Sequence, residues 1–598
     1  MRQKTLLASL VTLTFMCGFV FATLAGVFIA SQQVSLGIGL LLGVAATVLW
    51  SLIMWLVSPW IMDLMQSWVY SARKYSLDTL RQERPKVAEF IASVCQRHRI
   101  RVPRLKIIDD GTPQAYCYGS TANSARLVTT RGLVDTLDDE ELKAVYAHEL
   151  GHIVHRDFIV MTIAATLLSV LWTIYVIARN IRGKNNSRPA YPIALAALVF
   201  YWISQYLLLY LSRTREYYAD AFSGEETGNP NALSLALIKI AYGLTLIEQT
   251  PLRQKLMGGT RALGIADARA SSGVGLAYRS VAAGDAESAT NAAPGQPAYA
   301  GAYGAASAAA NPYAVRHAPA TSVTLEGVRR IEKVMLFDLY NPWAKVTELS
   351  ATHPLTGKRI HAMGAQAMSL GQRPLLSFEQ TDALGQALDK RRLYGTFMFE
   401  LTIYFLPHIL GIAFAAPAIA SFAFSYNVLG GFLGGLIVAG IGLGMTVKGF
   451  YSFPSLGNPA QTTVLELMSD PYASPLKGRP VVLDGTVTGR ADAGNKIGED
   501  FTLLDVSGGL MMINYESPFG KLGNYWFALR RVGKLMNQRV RVLGWFRRSI
   551  SQQVDLKNLQ TADGQQVTSY TGFWGKAGGI FVMLLGVLLA VIGAAAAS

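Results

Sequence analysis

Seven apolar stretches, each long enough to cross the hydrocarbon core of a bilayer, constrain this chain more than any other feature of its sequence. A helix needs about 20 apolar residues to cross that core, which is roughly 30 Å thick. The 598-residue chain is 51% hydrophobic and only 16% charged, which excludes a soluble globular protein and a disordered chain. The sequence therefore predicts a multi-pass α-helical membrane protein. The predicted spans are 6–30, 36–57, 158–178, 189–212, 397–424, 428–447 and 577–597.

Positive charge is concentrated beside the predicted spans, and its distribution indicates their orientation. The net charge is +15, from 54 basic and 39 acidic residues. Basic residues occur at 1–4, before the first span, at 73–86, after the second, and at 390–392, before the fifth. Because loops rich in Lys and Arg stay in the cytoplasm, we expect the polar regions to face the cytoplasm from a cell inner membrane. The basic linker at 179–188 is an exception, since a hairpin over 158–212 that crosses fully would place it outside.

The cysteines and the charge balance exclude two further classes. Cys17, Cys95 and Cys117 lie far apart and cannot all pair, so we expect no disulfide framework and a reducing compartment. A basic chain can also bind nucleic acid. However, the region 451–571 has 13 basic and 10 acidic residues and lacks the concentrated positive charge that phosphate binding needs. We therefore expect no nucleic-acid partner.

Two regions outside the spans differ in composition from the rest of the chain. Residues 262–320 are rich in Ala, Gly, Ser and Pro and have too few bulky apolar side chains to form a core, so a disordered insertion is expected. Residues 451–571 contain five short alternating segments separated by turns, with a helix before the fourth. This pattern is typical of a small β-barrel of the OB type.

One short motif carries residues suited to metal chemistry. Residues 148–152 read HELGH, within a segment at 139–154 that has helical periodicity and acidic residues in its first turn. His148 and His152 differ by about 40° in azimuth on a helix, so both imidazoles can bind one zinc ion. Glu149 adjoins them and can accept a proton from water whose pKa the zinc lowers. Because a bare HExxH also arises by chance, the rest of the chain must supply the context.

A catalytic zinc site needs a third protein ligand and one open position. Glu216 is the candidate, because the spans 158–178 and 189–212 form a hairpin that returns it to the membrane face of His152. Asp220 lies four residues later on the same helix face and can hydrogen-bond a ligand histidine. An ordinary ion pair between these two acids and the neighbouring arginines is the alternative interpretation.

Several ordered motifs together resemble the membrane zinc metalloproteases typified by HtpX and the CAAX prenyl endopeptidases. The resemblance covers about 60–260 and 322–365, and leaves out the Ala/Gly-rich insertion and the strand-rich region. Its motifs are QAYCYG at 114–119, VTTRGLVD at 128–135, the HExxH helix through 157, REYYAD at 215–220, GNPNAL at 228–233 and SATHPLTGKRI at 350–360.

The resemblance implies a mainly helical zincin-type metalloprotease domain with a small edge β-sheet. It implies one zinc ion per chain, bound by His148, His152 and Glu216, with Glu149 as the catalytic base. It also implies that His353 lies near the substrate or the developing oxyanion. The strand implied to pair with extended substrate consists of Ala115, Tyr116, Cys117 and Tyr118.

The sequence thus predicts a membrane-embedded zinc endopeptidase that cleaves membrane or membrane-associated proteins near the cytoplasmic face, in membrane protein quality control. Its expected partners are a protein or peptide substrate and the lipid bilayer, and the C-terminal domain is a candidate site for a protein partner. A catalytically inactive membrane scaffold or binding module is the alternative. The predicted domains are a two-helix anchor (1–60), the protease domain with its hairpin (61–261), the insertion (262–320), completion of the protease domain (321–396), a transmembrane hairpin (397–450), the strand-rich domain (451–571) and a C-terminal membrane helix (572–598).

Overall fold

Helices dominate the protein, as the sequence predicts. The computed structural model describes residues 11–24, 34–181, 190–246, 264–265, 274–275, 277, 325–376, 378–423, 430–490, 498–507, 509–549 and 552–595. The helices in these ranges are α1 (Val11–Leu24), α2 (Val34–Val69), α3 (Leu77–Glu83), α4 (Pro85–Arg97), α5 (Arg131–Thr136), α6 (Asp139–Val154), α7 (Asp157–Asn180), α8 (Tyr191–Thr227), α9 (Pro230–Leu246), α10 (Leu325–Tyr340), α11 (Pro342–Glu348), α12 (Thr356–Ser369), α13 (Phe378–Gln386), α14 (Lys390–Ala423), α15 (Gly430–Ser452), α16 (Val464–Met468), α17 (Gly520–Phe527) and α18 (Thr571–Ala595).

Six of the described helices are long and apolar enough to cross a membrane: α2, α7, α8, α14, α15 and α18. They match the second to seventh predicted spans, and the multi-pass prediction is confirmed. The first predicted span, 6–30, is described only as the shorter apolar helix α1. Most of the basic linker at 179–188 lies outside the described residues. Helix α8 has 37 residues and is therefore about 55 Å long, so it extends well beyond a bilayer core.

Small residues allow helices α15 and α18 to pack closely. A side chain at Gly435 or Gly442 of α15 would overlap the backbone of α18, at Ala590 and Met583 respectively. Glycine removes this obstacle and lets the two helix backbones approach. The close packing predicted from the glycine spacing of this span is therefore present at Gly435.

A small four-stranded sheet lies against α6. Its strands are β1 (Arg73–Lys74), β2 (Arg104–Ile108), β3 (Ala115–Tyr118) and β4 (Arg126–Thr130), in the order β1-β2-β4-β3. Strand β3 pairs only with β4 among these strands, in antiparallel register, and is thus an edge strand. The predicted edge strand therefore has its expected position in the sheet.

The C-terminal polar region forms a second sheet whose strand pairings close on themselves. Strand β5 pairs with both β6 and β8, β6 with β7, β7 with β9, and β9 with β8. The predicted helix before the fourth strand is present as α17, followed by short helical turns up to Leu535. The strands are β5 (Arg479–Arg490), β6 (Phe501–Asp505), β7 (Leu510–Asn514), β8 (Arg539–Arg548), β9 (Gln552–Thr561) and a short β10 (Gln566–Thr568).

The predicted insertion at 262–320 is described only at 264–265, 274–275 and 277. Ile265, Val274 and Ala277 are buried in the core that also contains α6 and α9. These few residues therefore pack with the protease region, and the rest of the predicted insertion lies outside the described residues.

Candidate active site

The helix that carries the HExxH motif begins at a well-formed cap. The Asp138 side chain accepts hydrogen bonds from the backbone N–H groups of Glu140 and Glu141, and the Glu141 carboxylate accepts one from the Asp138 N–H at 3.0 Å. This reciprocal arrangement satisfies N–H groups that a helix start leaves unpaired. Glu141 also forms a buried ion pair with Lys239 of α9 at 2.6 Å. Helix α6 is thus fixed at its N-terminus and to its neighbour.

Three side chains on α6 and α8 converge at one point, as the sequence predicts. His148 Nε2 lies 3.3 Å from His152 Nε2 and 3.6 Å from Glu216 Oε2, and His152 Nε2 lies 3.4 Å from Glu216 Oε1. A tetrahedral zinc with bonds of about 2.0–2.1 Å separates its ligand atoms by about 3.3 Å. Glu216 Oε2 is buried and has no hydrogen-bond partner among the described residues. The donor set, its spacing and this unsatisfied oxygen fit a zinc ion.

A carboxylate faces the Nδ1 atom of each of these histidines. Asp220 Oδ1 lies 3.0 Å from His148 Nδ1, which is the position that the sequence predicts for Asp220. Asp157 Oδ2 lies 2.6 Å from His152 Nδ1. A carboxylate at Nδ1 fixes the imidazole ring and leaves Nε2 to bind a metal. Sequence reasoning missed Asp157, although it follows the HExxH motif by five residues.

Buried arginines hold both carboxylates. Arg359 of α12 donates two hydrogen bonds to Asp220, at 2.9 Å from Nε and 2.7 Å from Nη2. Burial opposes the charge of Arg359, but Asp220 outweighs it and raises the pKa of Arg359 above its usual value. Arg215 of α8 forms an ion pair with Asp157. Both carboxylates are thus fixed by charged partners from α8 and α12.

Glu149 lies on the same helix and is buried, with 2% of its surface exposed. Burial raises its pKa, and the neighbouring His148 and His152 act in the opposite direction. The Cys117 thiol of β3 donates to the Glu149 backbone carbonyl at 3.5 Å. Because burial also raises the pKa of Cys117, a thiolate is disfavoured and this residue packs β3 against α6.

A loop from the 350–360 motif places His353 beside the cluster. His353 Nε2 lies 3.7 Å from Glu216 Oε1, and its Nδ1 lies 3.0 Å from the Thr352 hydroxyl. Arg213 of α8 donates to the carbonyls of Glu348 and Ala351, each at 2.8 Å. The fold therefore brings His353 to the candidate site, and Arg213 holds the loop that carries it. Sequence reasoning did not predict this role for Arg213.

The predicted substrate strand β3 is buried on both faces. Cys117 faces α6, whereas the hydroxyls of Tyr116 and Tyr118 donate to Gln66 and Asp63 of α2, at 2.7 and 2.9 Å. The membrane helix α2 thus extends into the polar domain and supports the sheet from the side opposite the HExxH helix.

Comparisons with known proteins agree with this architecture. The model of peptidase family M48 matches residues 81–367. A protease HtpX homologue of Methanothermobacter thermautotrophicus is 33% identical over 195 residues, which are 33% of this chain and 71% of that protein. A protease HtpX homologue of Burkholderia lata is 31% identical over 223 residues, or 36% of this chain and 77% of that protein.

A solved structure, that of S. mikatae Ste24p, is 20% identical and aligns with a TM-score of 0.26 over 39% of this chain and 57% of its own. The family model and the two HtpX homologues together support a metallopeptidase with membrane helices. The chain belongs to peptidase family M48, as an HtpX-like membrane protease.

Proposed function

We propose that the chain is a zinc-dependent endopeptidase that hydrolyses peptide bonds of membrane or membrane-associated proteins near the cytoplasmic face of the inner membrane, in quality control. The observation that carries the proposal is the spacing of the ligand atoms of His148, His152 and Glu216, all within 4.8 Å of one another, next to the buried Glu149. These are the ligand types and the adjoining carboxylate that zinc-dependent peptide hydrolysis requires.

The roles of the side chains follow from their positions. Glu149 accepts a proton from the attacking water and delivers it to the leaving amine. A bound zinc supplies Lewis-acid polarisation and a lowered pKa for water. Asp220 and Asp157 keep the Nε2 atoms of both histidines turned toward the site, and His353 is placed to donate a hydrogen bond to the developing oxyanion. The edge strand β3 binds the substrate backbone in extended form.

The orientation and the domain plan belong to the same proposal. The cluster lies close to two membrane helices, since α7 begins at Asp157 and Glu216 follows the apolar part of α8. With the basic flanks of the spans in the cytoplasm, the site faces that side. We propose that the domain boundaries given above hold, and that the closed ring of C-terminal strands is a small barrel of the OB type. A protein partner for this domain stays a hypothesis.

Substitution of Glu149 tests the function directly. We expect Glu149→Gln to retain zinc and to lower casein cleavage by about 10²- to 10⁴-fold, because the proton acceptor is lost. Glu140→Gln is the matched control, since Glu140 lies on the same helix but its side chain is 57% exposed and pairs only with Lys143 among the described residues. Undiminished cleavage by the Glu149→Gln protein would refute the mechanism.

The same casein assay distinguishes the endopeptidase from a catalytically inactive scaffold. A catalytically inactive scaffold would bind zinc in the wild-type protein without cleaving casein, and a chelator would change nothing in the assay. A quality-control role predicts that membrane-protein abundances differ between cells with the intact protein and cells with Glu149→Gln.

A further inference from the structure

The outer edge of β3 already has a partner from the same chain. Gln114 O accepts from Thr130 N of β4 at 3.0 Å, and hydrogen-bonding direction alternates along an antiparallel strand. The carbonyl of Ala115 therefore points away from β4, toward the edge at which substrate would add. Ile265 N donates to this carbonyl at 3.0 Å. A residue of the long segment between α9 and α10 thus occupies the place of a substrate residue.

The second backbone group of Ile265 is bound as well. Arg359 Nη1 donates to the Ile265 carbonyl, and the same nitrogen lies 3.6 Å from Oε2 of Glu216. One guanidinium nitrogen therefore contacts both the inserted residue and a candidate metal ligand. Ile265 is bound at its N–H by the edge strand and at its C=O by Arg359, immediately beside the metal-ligand cluster.

The side chain and the preceding residue complete the fit. The Ile265 side chain is buried, with 1% of the residue exposed, in the apolar core that includes Ala115 and Cys117. Gly264 lies directly against the Gln114 side chain, where a Cβ would overlap its amide oxygen. Backbone pairing with an edge strand plus a pocket for one side chain is the general mode of extended-peptide recognition.

We infer that Gly264–Ile265 is a pseudosubstrate: it occupies the backbone-binding edge of the site in cis, and the site takes extended peptides with an aliphatic side chain at the position of Ile265. The inference rests on the proposed role of β3 in substrate binding. Because the segment is tethered to the same chain, its effective concentration at the edge is high and a substrate must displace it. If it fills the edge about nine-tenths of the time, the apparent Kd of a competing peptide rises about tenfold.

A binding experiment tests this without catalysis. The probe is a fluorescein-labelled peptide with the sequence of residues 260–268, and the full-length protein in detergent carries Glu149→Gln so that the probe is not cleaved. We expect anisotropy titrations to give a Kd about tenfold lower when Ile265→Asp is added, because the cis competitor is lost. An equal or higher Kd in the double variant would overturn the inference.

Matched controls distinguish displacement of Ile265 from the β3 edge from a general loss of folding. Ile265→Val keeps an aliphatic side chain and should bind the probe as weakly as the parent, and a probe with Asp in place of Ile should bind neither protein. If thermal unfolding shows that Ile265→Asp is not folded, Ile265→Ala replaces it, with a smaller gain expected and an unchanged Kd counting against the inference. Because binding is measured in the Glu149→Gln background, absence of cleavage by the wild-type protein would refute the proposed function without affecting this result.

Discussion

The carboxylate of Asp157 should set how tightly the site binds zinc. Its Oδ2 lies 2.6 Å from Nδ1 of His152, and its other oxygen pairs with Arg215. Replacing Asp157 by Asn preserves the size of the side chain but removes its negative charge. His152 then has at most a neutral amide oxygen at its Nδ1 in place of the charged carboxylate, and Arg215 loses its buried counter-charge.

The magnitude follows from the role of such outer carboxylates. Loss of a partner of a metal-binding histidine typically lowers metal affinity 10- to 100-fold, which corresponds to about 1.4–2.7 kcal/mol. The matched control is Asp109→Asn. Asp109 forms an ion pair with Arg73 at 2.9 Å, but both side chains are largely exposed, so this pair contributes at most about 1 kcal/mol to stability and does not contact the site.

Zinc affinity is measured by competition with a fluorescent chelator, on protein whose thermal unfolding is followed in parallel. We expect the Asp157→Asn protein to release zinc at about 10- to 100-fold lower chelator concentration than the wild type, with Asp109→Asn unchanged. Wild-type zinc affinity in a folded Asp157→Asn protein would refute the assignment of Asp157 as the residue that orients His152.

Two further predictions concern the loop and the core beside the site. Arg213→Ala should loosen the loop that carries His353 and lower kcat about 10- to 100-fold with zinc content unchanged. Thr214→Val is the control and should have no effect, because Thr214 is only half-buried and its hydroxyl donates to the Tyr210 carbonyl of its own helix. An unaltered kcat in Arg213→Ala contradicts this role. Burial raises the pKa of Asp338 to about 6, so its folded carboxyl keeps a proton that the unfolded chain loses near pH 3.8. Its contribution to stability is therefore fully present below about pH 4 and is lost as pH rises to about 6. The Tm of the wild type should therefore fall more steeply across this pH range than the Tm of Asp338→Asn, and equal slopes would contradict the assignment.

The parts of the site that could be predicted from sequence share one property: each depends on spacing within a single helix. His148 and His152 lie one turn apart on α6, and Glu216 and Asp220 lie one turn apart on α8. A turn of helix fixes which side chains share a face, whatever the rest of the chain does. The structure brings these residues together because α8 packs against both α6 and α7, which places Glu216 beside His148 and His152.

The residues that sequence reasoning missed act across long distances in the chain. Arg359 contacts Asp220 from 139 residues away, and Arg213 contacts the carbonyl of Ala351 from 138 residues away. Neither contact leaves a periodic pattern, because a guanidinium group can pair with any carboxylate or carbonyl that the fold presents to it. Arg359 belongs to the motif at 350–360 and Arg213 lies two residues before the motif at 215–220, but a motif does not state which partner its side chains reach.

The segment around Ile265 shows what composition alone could not predict about residues 262–320. A stretch poor in bulky apolar residues cannot build a core of its own, and that expectation rests on an average over 262–320. Docking on an existing edge strand needs far fewer bulky apolar residues than an independent core. Strand β3 supplies the hydrogen-bond acceptor, Arg359 supplies a donor and the protease core accepts one aliphatic side chain. A low-complexity composition therefore argues against an independent domain but not against a short docking element, and a single isoleucine between small residues is enough to form one.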